Sequence, residues 1–298
     1  MSEVQNIRHI GMRRAHALSN LSVDEQLDLI ADGLPILMQS AGGLLEASKE
    51  LTAHPRSAAM LKRHALEEIA KILILIDLVR CPTSQRPSRV GAMTKWFYDH
   101  LARLIYVESQ SWKPMHAQQL QDYIDDFRRT HYLEGAVGEY IMPNFEVYRR
   151  ESNMYADIEG DEDGTLYWND PQSTYRSSDI HNTLSGINTG PRAWKICLAL
   201  QNFGAFSRSG LDVISSTWTK VDFREAENHE DTNKLTYEMA CGLEKAELML
   251  ADADEDQLRV LYHEWQMPMY RMDFSPIRVS LEELQDQRDR NLASEMGY

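Results

Sequence analysis

The chain has 298 residues, of which 43% are hydrophobic and 26% are charged, and this balance excludes a wholly disordered or collagen-like protein. Its 46 acidic and 31 basic residues give a formal charge of −15, which argues against an extended DNA-binding surface. The three cysteines have no CxxC spacing, so we expect neither a disulfide framework nor a thiolate zinc site.

The N-terminus shows no targeting pattern, because no apolar run follows its three arginines. The longest aliphatic run, residues 72–76, is far shorter than the roughly 20 residues that cross a bilayer. Free thiols fit a reducing compartment. We therefore expect a cytoplasmic protein without a membrane segment.

Helical spacing dominates the first half of the chain. Ser22 and Glu25 form a capping box that opens a helix, and Gly33 and Pro35 are expected to interrupt it. The helix over residues 55–80 has apolar residues at steps of three and four throughout. The helices predicted in this half are 22–32, 34–51, 55–80, 91–109, 116–133 and 137–150.

One β-hairpin is expected after these helices, because β-forming residues at 154–158 and 165–168 flank an acidic, glycine-containing turn. Helical patterns resume near residue 178. They continue through residues 191–206, 222–252, 252–266 and 280–292. We therefore predict a mainly all-α fold, an antiparallel helical bundle with one inserted β-hairpin near 154–168 and an additional C-terminal helical region.

The helix over residues 55–80 carries the most informative charges. Glu67, Glu68 and Lys71 come one turn before residues 72–76, which are aliphatic on all sides. A helix that is hydrophobic all round is buried, so we expect this charged turn to be partly enclosed and to need partners. Glu67 and Lys71 have the favoured order for an i,i+4 ion pair. The alternative is an ordinary exposed salt bridge.

Residues that could form ion pairs or hydrogen bonds with these charged side chains follow later in the chain. His100 and Arg103 face the same way on one helix, and Arg149 and Arg150 end another just before Tyr155 and Asp157. Together they would form a polar pocket able to hold a phosphate or to polarise a ribose hydroxyl. The alternative is a structural network that ties the helices to the hairpin.

No metal site is predicted. A ferritin-like di-metal centre needs Glu-x-x-His on two helices, and none of the ten histidines has an acidic residue three positions before it. No glycine-rich phosphate loop is present either. We predict no cofactor.

Four elements occur in order along the chain: Ala-x-Glu-Glu-x-x-Lys, His-x-x-Arg, an arginine before a Tyr-x-Asp strand, and a proline. The residues are Ala65, Glu67, Glu68, Lys71, His100, Arg103, Arg150, Tyr155, Asp157 and Pro171. In this order they resemble the AbiV family of bacterial abortive-infection proteins, which belongs to the HEPN superfamily of helical domains. The resemblance covers residues 33–206, with Arg103 where the family has Lys and Ala156 where it usually has Val.

The resemblance implies a HEPN-like bundle and three regions: an N-terminal extension with the first helix (1–32), an AbiV/HEPN-like domain (33–208), and a C-terminal helical extension and tail (209–298). It implies a homodimer and a role in phage defence, with RNA or a phage protein as partner. The expected function is that of an anti-phage protein acting as a metal-independent ribonuclease or RNA-binding toxin. The alternative is a non-catalytic protein that binds a phage or host component through the same fold.

With the resemblance, we assign catalysis to Glu68, Lys71, His100 and Arg103, and substrate binding to Glu67, Arg149, Arg150, Tyr155 and Asp157. Many HEPN ribonucleases also use an Arg-x4–6-His signature, which occurs here twice, as often as chance predicts. Arg176 with His181 is preferred, because Arg224 with His229 lies in an acidic stretch that would repel phosphate. His181 would then act as general acid or base and Arg176 would stabilise the phosphorane; the alternative is an ordinary helix start.

Overall fold

A computed structural model describes residues 15–160, 164–171, 191–223 and 228–295 of the chain. A short 3-10 helix, Ala15–Asn20, is followed by α1 (Val23–Glu50), α2 (Pro55–Arg80), α3 (Arg86–Trp96), α4 (His100–Glu108), α5 (Ala117–Phe127), β1 (His131–Glu134), β2 (Tyr140–Pro143) and α6 (Phe145–Met154). Then come β3 (Asp157–Gly160), β4 (Leu166–Asn169), α7 (Arg192–Asn202), α8 (Arg208–Trp218), α9 (His229–Lys245), α10 (Glu255–Glu264) and α11 (Leu281–Glu295). The predicted mainly helical class is confirmed.

The first long helix, α1, is continuous, so the predicted break at Gly33 and Pro35 is wrong. Its buried residues keep steps of three and four through the proline: Gln26, Leu27, Ile30, Leu34, Met38, Ala41 and Leu45. This unbroken apolar stripe packs along α2. Its burial outweighs the cost of about 3 kcal/mol that a proline imposes inside a helix. The predicted boundary at residue 32 thus falls within a helix, and the division into three regions stays a prediction.

The helix predicted over residues 91–109 is two helices, α3 and α4, separated by a break at residues 97–99. Asp99 causes α4 to begin at His100, because its carboxylate accepts the Ala102 N–H at 2.8 Å. The break redirects the chain and turns the first residues of α4 toward α2. His100 and Arg103 owe their position to it.

Two hairpins are present among the described residues where one was predicted. The expected β3–β4 hairpin is confirmed, with Ile158 paired to Trp168. The additional β1–β2 hairpin replaces the ends of two predicted helices, 116–133 and 137–150. Gly135 and Gly138 have φ of 100° and 82°, a backbone conformation that disfavours other residues and makes the turn between the strands.

Helix α2 lies at the centre of the fold and packs against α1, α3, α4, α6, α7 and α8. Its bounds agree with the prediction, and it is buried on all sides from Ile72 to Ile76 apart from a partly exposed Leu75. In the C-terminal half, α8 was not predicted, and α9 is shorter than the predicted helix over 222–252. The helix expected from residue 178 lies outside the described residues.

The C-terminal end of α2 carries a buried cluster of polar side chains around Arg80. Arg80 is 1% exposed and lies between the rings of Trp218 and Trp265, at 3.8 and 4.0 Å from their centroids. It donates to Asp77 at 2.8 Å, and Asp77 accepts the Tyr106 hydroxyl at 2.5 Å. Cation–π contacts and charge-assisted hydrogen bonds thus tie α2 to the C-terminal helices.

Among the described residues, none of the helices has an apolar stretch of the length needed to cross a membrane.

Candidate functional site

The charged turn of α2 is enclosed, as predicted. Glu67 is 2% exposed and Glu68 is 8% exposed, and both follow the buried Ala65. Ala65 before the turn and the buried aliphatic residues from Ile69 to Ile74 after it keep this part of the helix packed, so its carboxylates lose most of their contact with water. Burial of a carboxylate is costly unless cations and hydrogen-bond donors meet it.

Three cationic or imidazole side chains meet Glu67. His100 Nδ1 lies 2.7 Å and Arg103 Nη2 lies 2.9 Å from Oε2, and Arg150 Nε lies 3.0 Å from Oε1. The predicted Glu67–Lys71 pair is wrong, because Lys71 Nζ instead lies 2.5 Å from Glu68 Oε1. We call Glu67, Glu68, Lys71, His100, Arg103 and Arg150 the Glu67 cluster.

Glu67 is ionised at neutral pH. Burial raises the pKa of its carboxyl, but the charge of Arg103 and the hydrogen bonds from His100 and Arg150 lower it by more, so the pKa lies below its ordinary value. The carboxylate therefore joins α2, α4 and α6 through three charge-assisted contacts.

The tautomer of His100 follows from its contact with Glu67. An ionised carboxylate only accepts hydrogen bonds, so the proton must lie on Nδ1 for this contact to be a hydrogen bond. Arg103 Nη2 is also 2.8 Å from Nδ1, and this contact would be a hydrogen bond only if Nδ1 carried no proton. We assign the proton to Nδ1 because two acceptor atoms, Nδ1 and Glu67 Oε2, would otherwise face each other at 2.7 Å, and Arg103 then donates to Glu67. In the neutral ring the lone pair is then on Nε2, at the opposite edge of a side chain that is 52% exposed.

Arg103 also forms a hydrogen bond with Asp99, the residue that caps its own helix. Its Nε donates to the Asp99 carbonyl at 3.2 Å, and its side chain is only 7% exposed. Burial lowers the pKa of Arg103, while the charges of Glu67 and Glu68 raise it. The α3–α4 break that the sequence prediction missed thus supplies both the helix start and the carbonyl that position this guanidinium.

Two further arginines, which the sequence analysis did not single out, fix α6 on α2. Arg63 donates to the carboxylate of Glu146 at 2.6 Å, at the start of α6. Arg56 donates to the carbonyls of Asn153 and Met154 at 2.8 and 3.1 Å, at its end. These two clamps place Arg150 beside Glu67. The spacing of Arg56 and Arg63, one face of α2 two turns apart, was a usable signal.

The cluster borders a cleft of about 210 Å³ between α2 and α6. Arg63, His64, Glu67 and Arg150 are among the residues that line it. The cluster has two carboxylates and three cationic side chains, so its net charge is +1 when His100 is neutral. The whole chain has a formal net charge of −15. A local positive excess beside a cleft favours an anionic ligand such as a phosphate group.

The other predicted site residues lie apart from the cluster or outside the described residues. Arg149 lies near Phe145, its guanidinium carbon 5.8 Å from the ring centroid. Tyr155 and Asp157 are exposed, and within the described part of the chain no hydrogen bond or ion pair joins them to Glu67. Arg176 and His181 lie outside the described residues. The roles given to these residues stay predictions.

Among the described residues, no three His, Cys, Asp or Glu side chains are grouped so that they could hold a metal ion. Comparison with known proteins adds no assignment, because no family model, curated protein or solved structure matches this chain.

Proposed function

We propose that this chain is an anti-phage ribonuclease in which His100 acts as the general base. The observation that supports this best is that the buried Glu67 carboxylate contacts Nδ1 of the half-exposed His100 imidazole. A carboxylate in this position holds the ring in one tautomer and stabilises the imidazolium that forms when Nε2 takes a proton. The anti-phage role and RNA as substrate rest on the resemblance to AbiV proteins.

The proposed reaction needs no group from outside the chain. Nε2 of His100 takes the proton of a ribose 2′-hydroxyl, and the 2′-oxygen forms a bond to the adjacent phosphorus. The P–O5′ bond breaks, and the leaving 5′-oxygen takes a proton from solvent or from the Lys71 ammonium. The products are a 2′,3′-cyclic phosphate and a free 5′-hydroxyl. The scheme assigns to Arg150 and Arg103 the stabilisation of charge on the phosphorane.

Glu67 is a positioning residue in this scheme, because it acts through His100 and is too buried to reach the substrate. Glu68 holds Lys71 by their 2.5 Å contact, and Lys71 Nζ is 5.5 Å from the centroid of the Phe97 ring. A binding protein without catalysis is the second candidate. The observation in its favour is that Glu67 already engages Arg103 and Arg150, so the cluster also serves to join three helices.

The purified 298-residue chain, incubated with labelled single-stranded RNA in EDTA, tests the proposal. We expect cleavage to 2′,3′-cyclic phosphate ends, and a loss of about 100-fold or more in the His100→Ala variant, the usual effect of removing a general base. His54→Ala is the matched control, because His54 is exposed and its side chain caps no helix N–H; its rate should equal that of the wild type.

A His100→Ala variant that remains folded and cleaves at the wild-type rate would contradict the proposal. Protection of phage-infected cells by a wild-type protein that cleaves no RNA would instead favour the binding protein. In either case Glu68→Ala and Lys71→Ala are expected to lose protection, because each leaves a sheltered charge without its partner.

A further inference from the structure

A second cavity, of about 420 Å³, lies at the opposite end of α6 from the hairpin β3–β4. It opens between the end of α5, strand β1 and the first turn of α6. Three aromatic side chains line it, Phe127, Tyr132 and Phe145, together with the polar residues Asp126, Arg129, Asn144, Glu146 and Gln287. Phe145 is 50% exposed, so its ring is open to a ligand.

This cavity adjoins the Glu67 cluster. The Arg63–Glu146 ion pair separates the two, since Arg63 lines the cleft beside Glu67 and Glu146 lines the cavity. Arg149 approaches the Phe145 ring, one residue before Arg150 of the cluster. Along α6, the five steps from Phe145 to Arg150 correspond to a rise of about 7–8 Å along the helix axis. Arg149, four residues after Phe145, lies on the same face of the helix as the ring.

We propose that the cavity binds one nucleobase of an RNA strand whose phosphate lies at Arg149 and Arg150. This inference rests on the proposed function. The volume falls in the usual range of small-molecule sites, and stacking on aromatic rings is the common way in which proteins bind unpaired bases. The polar residues of the lining supply donors and acceptors for the edge of the base.

The lining has a hydroxyl donor suited to this purpose. Burial and the nearby charge of Glu134 raise the pKa of Tyr132, so its hydroxyl keeps its proton at neutral pH. Asn144 is not available for the base, because its amide donates to the carbonyls of Phe127 and Arg129 and its oxygen accepts two N–H groups of α6. Tyr132, Arg129 and Gln287 are thus side chains of the lining that can donate to a bound base.

The exposed aromatics of the β3–β4 hairpin are a poorer base platform. Trp168 is 70% and Leu166 is 71% exposed, and the register places them on one face with Ile158. Residues 155–171 carry six acidic residues and no Lys or Arg, so this hairpin repels a phosphate backbone. Trp168 therefore serves as a control for the cavity.

Binding of a fluorescein-labelled ten-nucleotide 2′-O-methyl RNA, measured by anisotropy, tests the inference separately from cleavage, because this strand has no 2′-hydroxyl to attack. We expect Phe145→Ala to weaken binding by about 10-fold, from the loss of about 1–3 kcal/mol of stacking per base. Phe145→Trp should restore it. Trp168→Ala and Tyr140→Ala, which remove exposed aromatics outside the cavity, should change the affinity less than about 2-fold.

The outcomes separate the two proposals. If the wild type cleaves RNA and Phe145→Ala binds the 2′-O-methyl strand like the wild type, the base site is overturned while the proposed function stands. If the wild type does not cleave RNA, but Phe145→Ala weakens binding, the base site stands alone. An abasic strand of equal length that binds the wild type as tightly as the normal strand, or no binding by any form, would also overturn the base site.

Discussion

Replacing Glu67 with alanine is expected to lower the free energy of unfolding by about 3–5 kcal/mol, because it leaves the buried guanidinium of Arg103 and the partly buried one of Arg150 without their carboxylate. Arg103 and Arg150 are 7% and 17% exposed and cannot regain full hydration without moving α4 or α6. Glu67→Gln keeps the size and one acceptor oxygen, so it should cost less. Urea unfolding measures both.

Glu46→Ala is the control for this experiment, because Glu46 is exposed on α1; its effect should be within about 0.5 kcal/mol.

The stability that Glu67 contributes depends on pH. The pKa of Glu67 is lowered in the folded state from an ordinary value of 4.5. Its contribution is therefore fully present above about pH 5 and is lost as the pH falls through the folded-state pKa. A Glu67→Ala variant as stable as the wild type at pH 7 would show that the cluster does not join the helices.

Lys113→Met should have the opposite effect and stabilise the protein by about 2–4 kcal/mol at pH 7. The Nζ of Lys113 is buried and has no hydrogen-bond partner among the described residues. Burial and, to a smaller extent, the charges of Arg80 and Arg192 lower the pKa of Lys113 to about 6, while the charge of Glu264 opposes them. His229 also lies within range of this charge. Methionine fills the same space without an amine to desolvate.

The pH dependence of this stability gain shows whether the buried amine of Lys113 is its cause. The unfolded lysine keeps its proton up to about pH 10.5, whereas the folded lysine loses it near pH 6, so between these values the unfolded state binds one more proton. Lys113 therefore makes stability rise with pH by up to about 1.4 kcal/mol per unit in this window. The advantage of Lys113→Met should be largest at and below about pH 6 and fade toward pH 10. The exposed Lys49→Met is the control; a gain that does not change with pH would contradict the explanation.

Much of the site could be predicted because α2 has a regular period. Its apolar residues at steps of three and four fix which side chains face inward, and the aliphatic turn at 72–76 identifies burial on all sides. Enclosure of Glu67 and Glu68 and their need for cations follow from that pattern alone.

The pairing within the cluster could not be predicted from spacing. Glu67 and Lys71 are one turn apart, but Glu67 is met by Arg103 and Arg150 from other helices, and Lys71 is left to pair with Glu68. A planar guanidinium matches a carboxylate better than an ammonium does, and Arg103, 7% exposed, is also more enclosed than Lys71, which is 17% exposed. Helical spacing describes one helix and contains no information on which neighbour approaches it.

The fold prediction failed where one local feature overrides a regular pattern. Pro35 does not end α1, because the stripe of residues packed on α2 continues past it. Asp99 caps the start of α4 inside a stretch that reads as one helix in the sequence. Gly135 and Gly138 were the visible signal of the β1–β2 hairpin, since both adopt positive φ in the turn.

The tautomer of His100 tests the central claim most directly, and long-range proton–nitrogen NMR of the imidazoles measures it without any substrate. The His100 signals are identified by their loss in His100→Ala. At a pH where the ring is neutral, we predict a protonated Nδ1 and an unprotonated Nε2, with this preference weakened in Glu67→Gln. A neutral His100 protonated on Nε2 in the wild-type protein would mean that Glu67 does not hold the ring as described, and would contradict its role as general base.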